Sequence, residues 1–129
     1  MDYVGIVIIS HSSKVAIGIK EIIQQVARDV PIGVAGGTEN DEIGTSLEKI
    51  NAAVARAYSN KGVLLFYDLG SAKMNAELAI EFSETENIKL VEAPLLEGAY
   101  AAAVESSTGK DMDTIVENMN KLNKNLHRD

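Results

Sequence analysis

Residues 3–13 read YVGIVIISHSS, and this stretch decides the fold. The residues from Tyr3 to Ile9 form a continuous, mostly β-branched run, which is typical of a strand buried on both faces of a parallel sheet. Ser12 or Ser13 can cap a helix that follows at once. A buried strand that leads directly into a helix is the opening unit of an α/β fold.

The same alternation continues along the chain. Short apolar runs over residues 32–35, 62–67 and 88–91 predict three more strands, and a helical pattern follows each of them. Alternating strands and helices predict a mainly parallel sheet with right-handed crossovers. We therefore expect an α/β, open doubly wound fold, with a four-stranded sheet in the order 2-1-3-4 and helices on both faces. No internal repeat or linker interrupts residues 1–129, so we expect a single domain.

Apolar residues at helical spacing predict which face of each helix packs inward. In chain order, the predicted inward positions are Val15, Ile19, Ile22, Ile23 and Val26; Ile43, Leu47, Ile50 and Val54; Met74, Leu78 and Phe82; and Met112, Ile115, Met119, Leu122 and Leu126. An alanine-rich helix through Val104 precedes the last set, and its small side chains favour close packing. The last set steps by three and four residues like the seam of a coiled coil, which favours pairing with a second copy of the chain.

The composition argues against several classes of function. With 12 basic and 19 acidic residues the net charge is −7, which argues against nucleic acids and anionic membranes as partners and is compatible with a basic protein surface. The absence of cysteine excludes disulfides, thiolate catalysis and cysteine zinc sites. No signal peptide is recognisable and no apolar stretch is long enough to span a membrane, so we expect a cytoplasmic protein.

Two side chains at predicted strand ends form the candidate site. In open α/β sheets, ligands bind beyond the carboxyl ends of the strands, where the strand order reverses. The residues there are His11, after the first strand, and Asp68, after the third. A carboxylate beside an imidazole fixes its tautomer, leaves the other nitrogen free to react and favours the cationic form. The pair is therefore suited to phosphoryl or proton transfer.

Residues with small or hydroxyl-bearing side chains surround this pair in the predicted topology. They lie after the second strand and at the starts of the first and third helices: Ser12, Ser13, Gly36, Gly37, Thr38, Gly70 and Ser71. Their backbone N–H groups and hydroxyls, beside helix N-termini, predict a seat for an anion. Each residue alone also fits a cap or a turn, and it is their convergence at strand ends that favours a site. His127, in the charged C-terminal tail, is interpreted as solvated surface.

Motifs for several other chemistries are absent from the sequence. Gly-x-Ser-x-Gly, the Walker motif and Gly-x-Gly-x-x-Gly are all missing. Their absence argues against a serine hydrolase and against nucleotide binding by this chain itself. One imidazole without clustered carboxylates is too little for a metal site, so we expect no bound metal.

Four stretches of the chain together resemble one protein family. They are GIVIISHSSKVAIGI at residues 5–19, GGTENDEIGTSLEKI at 36–50, GVLLFYDLGSAKMNAE at 62–77 and APLLEGAYAAA at 93–103. In this order, over nearly the whole chain, they are similar to the phosphotransferase subunits (DhaM) of phosphoenolpyruvate-dependent dihydroxyacetone kinases, which are related to mannose-type enzyme IIA domains. The resemblance implies an enzyme IIA-like version of the fold described above.

The resemblance implies that His11 carries a phosphoryl group. Members of the family accept it from phospho-HPr and pass it to ADP in the nucleotide-binding subunit of the kinase, which then phosphorylates dihydroxyacetone. It further implies that Asp68 orients His11 and that the serines, glycines and threonine named above line the site. ADP/ATP and Mg²⁺ are expected on the partner subunit, with no cofactor on this chain, and a homodimer is expected. Some members continue into HPr-like domains; because this chain ends at Asp129, we expect its donor to be a separate protein.

Three other functions fit parts of the pattern. A mannose-type enzyme IIA that passes phosphate to another sugar-specific component has the same site. A flavodoxin-like regulatory domain phosphorylated on Asp68 needs an acidic cluster after the first strand, where residues 10–12 are Ser-His-Ser instead. A histidine-dependent hydrolase of phosphate esters usually places arginines at the phosphate, and none of the arginines here lies at a predicted strand end.

Overall fold

A computed structural model describes residues 2–126 of the chain, and its sheet confirms the predicted fold class. In chain order the elements are β1 (Gly5–Ser10), α1 (Ser13–Gln24), β2 (Ile32–Gly36), α2 (Leu47–Ala57), β3 (Val63–Tyr67), α3 (Gly70–Glu81), β4 (Ile88–Leu90), α4 (Leu95–Ser107) and α5 (Met112–Leu126). The strands pair in parallel in the order β2-β1-β3-β4. His127, interpreted above as solvated surface, lies outside the described residues.

Both faces of the sheet are covered by helices, as the apolar run of β1 predicts. Ile6 and Ile8 point into a core shared with α1, α4 and α5, whereas Val7 and Ile9 point into a second core shared with α2 and α3. All residues of β1 are buried. Successive side chains of a strand alternate between the two faces, so a strand covered on both faces is apolar over almost its whole length.

The inward face of α3 differs from the predicted one. Met74 is 69% exposed and Phe82, just after the helix, is 73% exposed, so the stripe predicted to face the core faces outward. The buried positions of α3 are alanines, Ala72, Ala76 and Ala79. The prediction is wrong because periodicity marks an apolar stripe without showing how closely the helix approaches the sheet. Small side chains allow the close packing that is present here.

Two other predicted faces are wrong in part. Val15, Ile22 and Val26 are about half exposed, while the other residues predicted to face inward from α1 are buried. Ile43 is 77% exposed and lies in the loop before α2, which begins only at Leu47. A helix on a sheet buries one stripe, so apolar residues beside that stripe stay at the boundary with solvent.

The apolar seam of α5 is used inside the chain. Met112, Ile115 and Met119 are buried in the core on the α4 side of the sheet, and α5 packs against α4. Leu122 is partly buried against the same core, and the side chain of Leu126 lies outside the described part. The interpretation of this seam as a surface for a second copy is therefore wrong for Met112, Ile115 and Met119, because these residues are already covered within the chain. Within residues 2–126 the sheet has four strands.

The register of the sheet brings two strand ends together at one edge. Ile9 of β1 pairs with Tyr67 of β3, so His11 and Asp68, which follow, leave the sheet side by side. On the other side of β1, Ser10 pairs with Gly36 of β2. From β1 the chain first adds β2 on one side of the sheet and then adds β3 and β4 on the other side. Open α/β sheets form their crevice at this change of side, between β1 and β3.

Candidate functional site

His11 and Asp68 are in direct contact at this edge. Nδ1 of His11 lies 2.9 Å from Oδ1 of Asp68. The same carboxylate accepts hydrogen bonds from the backbone N–H of His11 at 2.9 Å, the hydroxyl of Ser10 at 2.8 Å and the backbone N–H of Leu69 at 2.7 Å. Asp68 therefore holds both the backbone and the ring of His11, and the structure brings together the two residues that the sequence predicts.

These hydrogen bonds favour the ionised form of Asp68. Partial burial acts against the charge, but the bonds from the backbone and ring of His11, from Ser10 and from Leu69 outweigh it and lower the pKa of Asp68 below its ordinary value of 3.8. An ionised carboxylate only accepts hydrogen bonds, so Nδ1 of His11 carries a proton and donates it. In the neutral ring the lone pair then lies on Nε2.

The free nitrogen of His11 meets Ser71, near the start of α3. Oγ of Ser71 lies 2.6 Å from Nε2, and its hydroxyl donates to the lone pair when the ring is neutral. The side chain of His11 is 17% exposed and that of Asp68 is 24% exposed. Nδ1 is covered by the carboxylate, so Nε2 is the ring nitrogen that an incoming group can reach.

Two helices begin beside the ring of His11. The first, α1, starts at Ser13, and Ser12 caps it by accepting a hydrogen bond from an N–H of the first turn. The second, α3, starts at Gly70 with Ser71 next, and it has no side-chain cap. The first N–H groups of a helix have no partner within it, and the helix dipole makes this end positive. The positive ends of both helices therefore lie next to the imidazole, an arrangement that favours binding of an anion. The residues at these ends are Ser12, Ser13, Gly70 and Ser71.

The backbone N–H groups of two residues after β2 bond to carbonyls of the protein, whereas the sequence predicts that they bind an anion. The N–H of Gly37 donates to the carbonyl of Ser10 at 3.1 Å, and the N–H of Thr38 donates to a carbonyl within its own loop at 2.9 Å. Both donors hold the loop and so do not face an anion. Gly36 allows a close approach, because a Cβ there would lie 2.5 Å from the Cα of Ser13.

Two contacts of this site are not indicated by the motifs in the sequence. Ser10 donates to Asp68 and accepts a hydrogen bond from the N–H of Ser12 at 3.1 Å. Gly44 donates its N–H to the carbonyl of His11 at 2.9 Å. A serine that ends an otherwise apolar buried strand is a signal for Ser10. Nothing in the local sequence marks Gly44, because its contact depends on how the loop folds back.

The site is made of hydrogen-bond donors around one imidazole and one carboxylate. Across residues 2–126, no three or more His, Cys, Asp or Glu side chains are grouped as metal ligands.

None of the helices in this described part is long and apolar enough to cross a membrane.

Comparison with known proteins identifies the family of the chain. The family described as "PTS system fructose IIA component" (EIIA-man) matches residues 5–116. The chain is 48% identical over 118 residues to the Listeria innocua "PEP-dependent dihydroxyacetone kinase 1, phosphoryl donor subunit DhaM", covering 92% of this chain and 94% of that protein. It is 39% identical over 118 residues to the Lactococcus lactis "PTS-dependent dihydroxyacetone kinase, phosphotransferase subunit DhaM", with the same coverage.

A solved structure shows the same fold in a related chain. The crystal structure of EF1359, described as a protein of unknown function, matches with a TM-score of 0.83 at 34% identity, covering 94% of this chain and 95% of that one. The match therefore extends over almost the whole of both chains. Together with the family match and the two relatives, it shows that the chain belongs to the EIIA-man family and, within it, to the DhaM group.

Proposed function

We propose that this chain is a phosphohistidine carrier, the phosphoryl donor subunit of a phosphoenolpyruvate-dependent dihydroxyacetone kinase, and that Nε2 of His11 carries the group. The observation that carries the proposal is the 2.9 Å contact between Nδ1 of His11 and Asp68. It leaves Nε2 as the reactive nitrogen, beside the N-termini of α1 and α3. The printed names of the Listeria and Lactococcus relatives support the metabolic setting.

Uptake is a displacement at phosphorus between two imidazoles. The Nε2 lone pair of His11 attacks the phosphorus of a phosphohistidine on the donor protein. The new N–P bond forms as the donor's N–P bond breaks, and the electron pair of that bond returns to the donor's ring. Asp68, which still accepts the Nδ1–H bond, stabilises the positive charge that develops on the ring of His11. The free N–H groups at the two helix starts stabilise the phosphoryl oxygens.

Release follows the same path towards a different acceptor. A terminal oxygen of ADP attacks the phosphorus, the Nε2–P bond breaks, and its electron pair returns to His11. We take phospho-HPr as the donor and ADP in the nucleotide-binding kinase subunit as the acceptor, with Mg²⁺ on that subunit and a cytoplasmic location to match. A carrier of this kind needs a positioned nucleophile and an electrostatic cradle, so this chain is proposed to bind no cofactor of its own.

Ser71 has to move during transfer. Its Oγ lies 2.6 Å from Nε2, in the space that phosphorus enters when it bonds to that nitrogen. The side chain is at the exposed start of α3, so it can rotate to another staggered conformation. Rotation frees the lone pair and turns the hydroxyl towards a phosphoryl oxygen. Ser71 thus exchanges a hydrogen bond to the empty nitrogen for one to the bound group.

A homodimer is part of the proposal through the family resemblance alone, because the seam of α5 is buried within its own chain. Sedimentation at micromolar concentration is expected to give twice the chain mass of 13.8 kDa. A monomer mass under these conditions contradicts this part of the proposal and leaves the carrier function as it stands.

Phosphorylation with purified components tests the carrier function. The protein is incubated with phosphoenolpyruvate, enzyme I and HPr, and we expect an acid-labile, base-stable phosphoryl mass on the wild type. His11→Ala is expected to abolish the label, whereas His127→Ala, the same substitution at the one other histidine of the chain, is expected to keep it. Label on His11→Ala, or none on the wild type, contradicts the mechanism.

The acceptor is tested in a second reaction. The phosphorylated protein is mixed with an ADP-loaded nucleotide-binding subunit of a dihydroxyacetone kinase, or with a sugar-specific IIB component of a mannose-type system. We expect ATP to form in the first mixture and no transfer in the second. Transfer to the IIB component alone would favour the alternative function, a mannose-type enzyme IIA for another sugar.

A further inference from the structure

We propose that Asn75 and Thr45 form a positioning pair that fixes the backbone of His11 for phosphoryl transfer; the proposal rests on the carrier function given above. Neither residue is a hydrogen-bond partner of the imidazole, which bonds Asp68 and Ser71. They join the loop of residues 37–46, called here the 37–46 loop, to the helix that carries Ser71.

The backbone of His11 is held from both sides by groups outside its own strand. β1 ends at Ser10, so His11 lies beyond the sheet ladder. Its N–H donates to Asp68 at 2.9 Å, and its carbonyl accepts from the N–H of Gly44 at 2.9 Å. The 37–46 loop therefore sets one of the two backbone anchors of the reactive residue.

Gly44 lies at a point of the loop that a residue with a side chain could occupy only with strain. Its φ is 145°, and a Cβ there would lie 2.8 Å from the Cγ2 of Thr38. Thr45 follows Gly44 directly, so a movement of Thr45 is expected to shift the N–H of Gly44 relative to His11. A hydrogen bond from Nδ2 of Asn75 to Oγ1 of Thr45, at 2.6 Å, ties Thr45 to α3. The next residue, Ser46, is held separately, because its hydroxyl caps α2 and donates to Glu39.

Asn75 lies one helical turn after Ser71 on α3, so the two side chains are on the same side of that helix. Ser71 contacts Nε2 of His11, and Asn75 contacts the loop that holds the carbonyl of His11. The hydrogen bonds therefore form a closed circuit that runs from the ring through α3 and the loop to the backbone of the same residue. Movement of the loop away from α3 changes the position of His11 relative to Ser71.

The identity of residue 75 fits a specific contact. Asparagine is a poor helix former, because its side chain competes for backbone hydrogen bonds, and it is unfavourable in the interior of a helix. Asn75 lies inside α3 and is partly buried. The other end of the loop is held separately, by Lys49, whose ammonium donates to the carbonyl of Gly36 at 2.9 Å and to Asp41 at 2.6 Å. Loss of the Asn75 contact is therefore expected to loosen Gly44 and Thr45, while the contacts of Lys49 and Ser46 keep the rest of the loop in place.

The expected consequence is slower chemistry with little change in docking. In-line transfer requires the nucleophilic nitrogen to be aligned with phosphorus, and a misplacement of about 1 Å can lower a rate by about 10²-fold. Loss of one hydrogen bond at a partly exposed site is expected to displace Nε2 of His11 by less than this distance. We therefore expect Asn75→Ala to lower kcat for uptake roughly tenfold and to leave KM for phospho-HPr nearly unchanged.

The test uses four variants and one control. Asn75→Ala and Thr45→Val each remove one partner, the double variant removes both, and Thr45→Ser keeps the hydroxyl. Asn51→Ala makes the same substitution at an exposed asparagine of the neighbouring helix α2. The readouts are kcat and KM for uptake from phospho-HPr, and the hydrogen exchange rate of the Gly44 amide by NMR.

We expect Asn75→Ala and Thr45→Val to lower kcat and speed Gly44 exchange to a similar degree, the double variant to be no worse than either, and Thr45→Ser to resemble the wild type. The proposal is overturned if Asn75→Ala matches Asn51→Ala in Gly44 exchange, if the single effects add, or if only KM changes. If the wild type takes up no phosphate, the carrier function fails, and Gly44 exchange still decides whether the pair holds His11.

Discussion

Replacing Asp68 by asparagine tests whether its carboxylate orients the ring of His11 or only stabilises the fold. The carboxylate accepts four hydrogen bonds, two on each oxygen: Oδ1 from Nδ1 of His11 and the N–H of Leu69, and Oδ2 from the N–H of His11 and the hydroxyl of Ser10. An amide keeps one oxygen and puts an NH₂ group in place of the other. Whichever way it turns, the NH₂ group faces a backbone N–H that has lost its acceptor.

The two consequences have separate magnitudes. A hydrogen bond to a charged group contributes about 1.5–3 kcal/mol, and the charge on Asp68 matters most when the ring of His11 becomes positive during transfer. Loss of the charge on residue 68 is expected to slow phosphoryl transfer by roughly 10- to 150-fold. The unpaired backbone N–H costs about 1–3 kcal/mol when buried, and at this partly exposed site we expect the lower end, about 1 kcal/mol of unfolding free energy.

The assay is single-turnover uptake of phosphate from phospho-HPr, with urea unfolding of the same samples. Asp113→Asn is the matched control, since it makes the same change in chemistry and net charge on a side chain that is 86% exposed and paired with Lys89 on the surface. Uptake by Asp68→Asn as fast as that by Asp113→Asn, in protein that is folded, would refute the assignment of Asp68 as the residue that orients His11.

Three further predictions follow from individual contacts. Ser71→Ala removes both the bond to the empty Nε2 and the stronger, charge-assisted bond expected to the carried group. The equilibrium ratio of phosphorylated protein to phospho-HPr should therefore fall by the difference between them, about 0.5–1.5 kcal/mol or roughly two- to tenfold; an unchanged ratio contradicts the proposed rotation of Ser71. The pKa of Asp68 is lowered by folding, so its contribution to stability is present above its ordinary value of 3.8 and lost as the pH falls through the lower folded value. The stability gap between wild type and Asp68→Asn, measured by urea unfolding, should therefore narrow below pH 3.8, and a constant gap argues against this linkage. Ile115→Ala empties a fully buried position of α5 and should lower the free energy of unfolding by about 2–5 kcal/mol; a loss below 1 kcal/mol would show that the seam does not pack as described.

The fold class and strand order were predictable because they depend on which segments are apolar and where they end. The run over residues 4–9 is apolar because β1 is covered on both faces, and alternating helices make the sheet parallel. The two reacting side chains were predictable for the same reason. His11 and Asp68 follow neighbouring strands, and parallel strands end at one edge.

The inward faces of the helices were less predictable. In α3 the core side is made of alanines, and the larger apolar residues Met74, Leu78 and Phe82 point outward. A periodic pattern reports that apolar residues recur, but small residues on an adjacent stripe can lie closer to the sheet and exclude water as completely. The prediction for α5 was wrong about the partner and not about the face. Its apolar seam does pack against another helix, but that helix is α4 of the same chain.

By itself, the sequence determined the sheet, its order and the identities of the imidazole and the carboxylate, because these follow from hydrophobic pattern and from residues next to strand ends. Only the tertiary structure decided that Asp68 takes Nδ1 and Ser71 meets Nε2, that Gly44 holds the carbonyl of His11, and that the N–H groups of residues 37 and 38 are used within the fold. These contacts join residues far apart in the chain, and a hydrogen bond forms only when distance and angle are both satisfied. Local sequence does not encode that geometry; the packing of α1, α3 and the 37–46 loop around the end of β1 creates it.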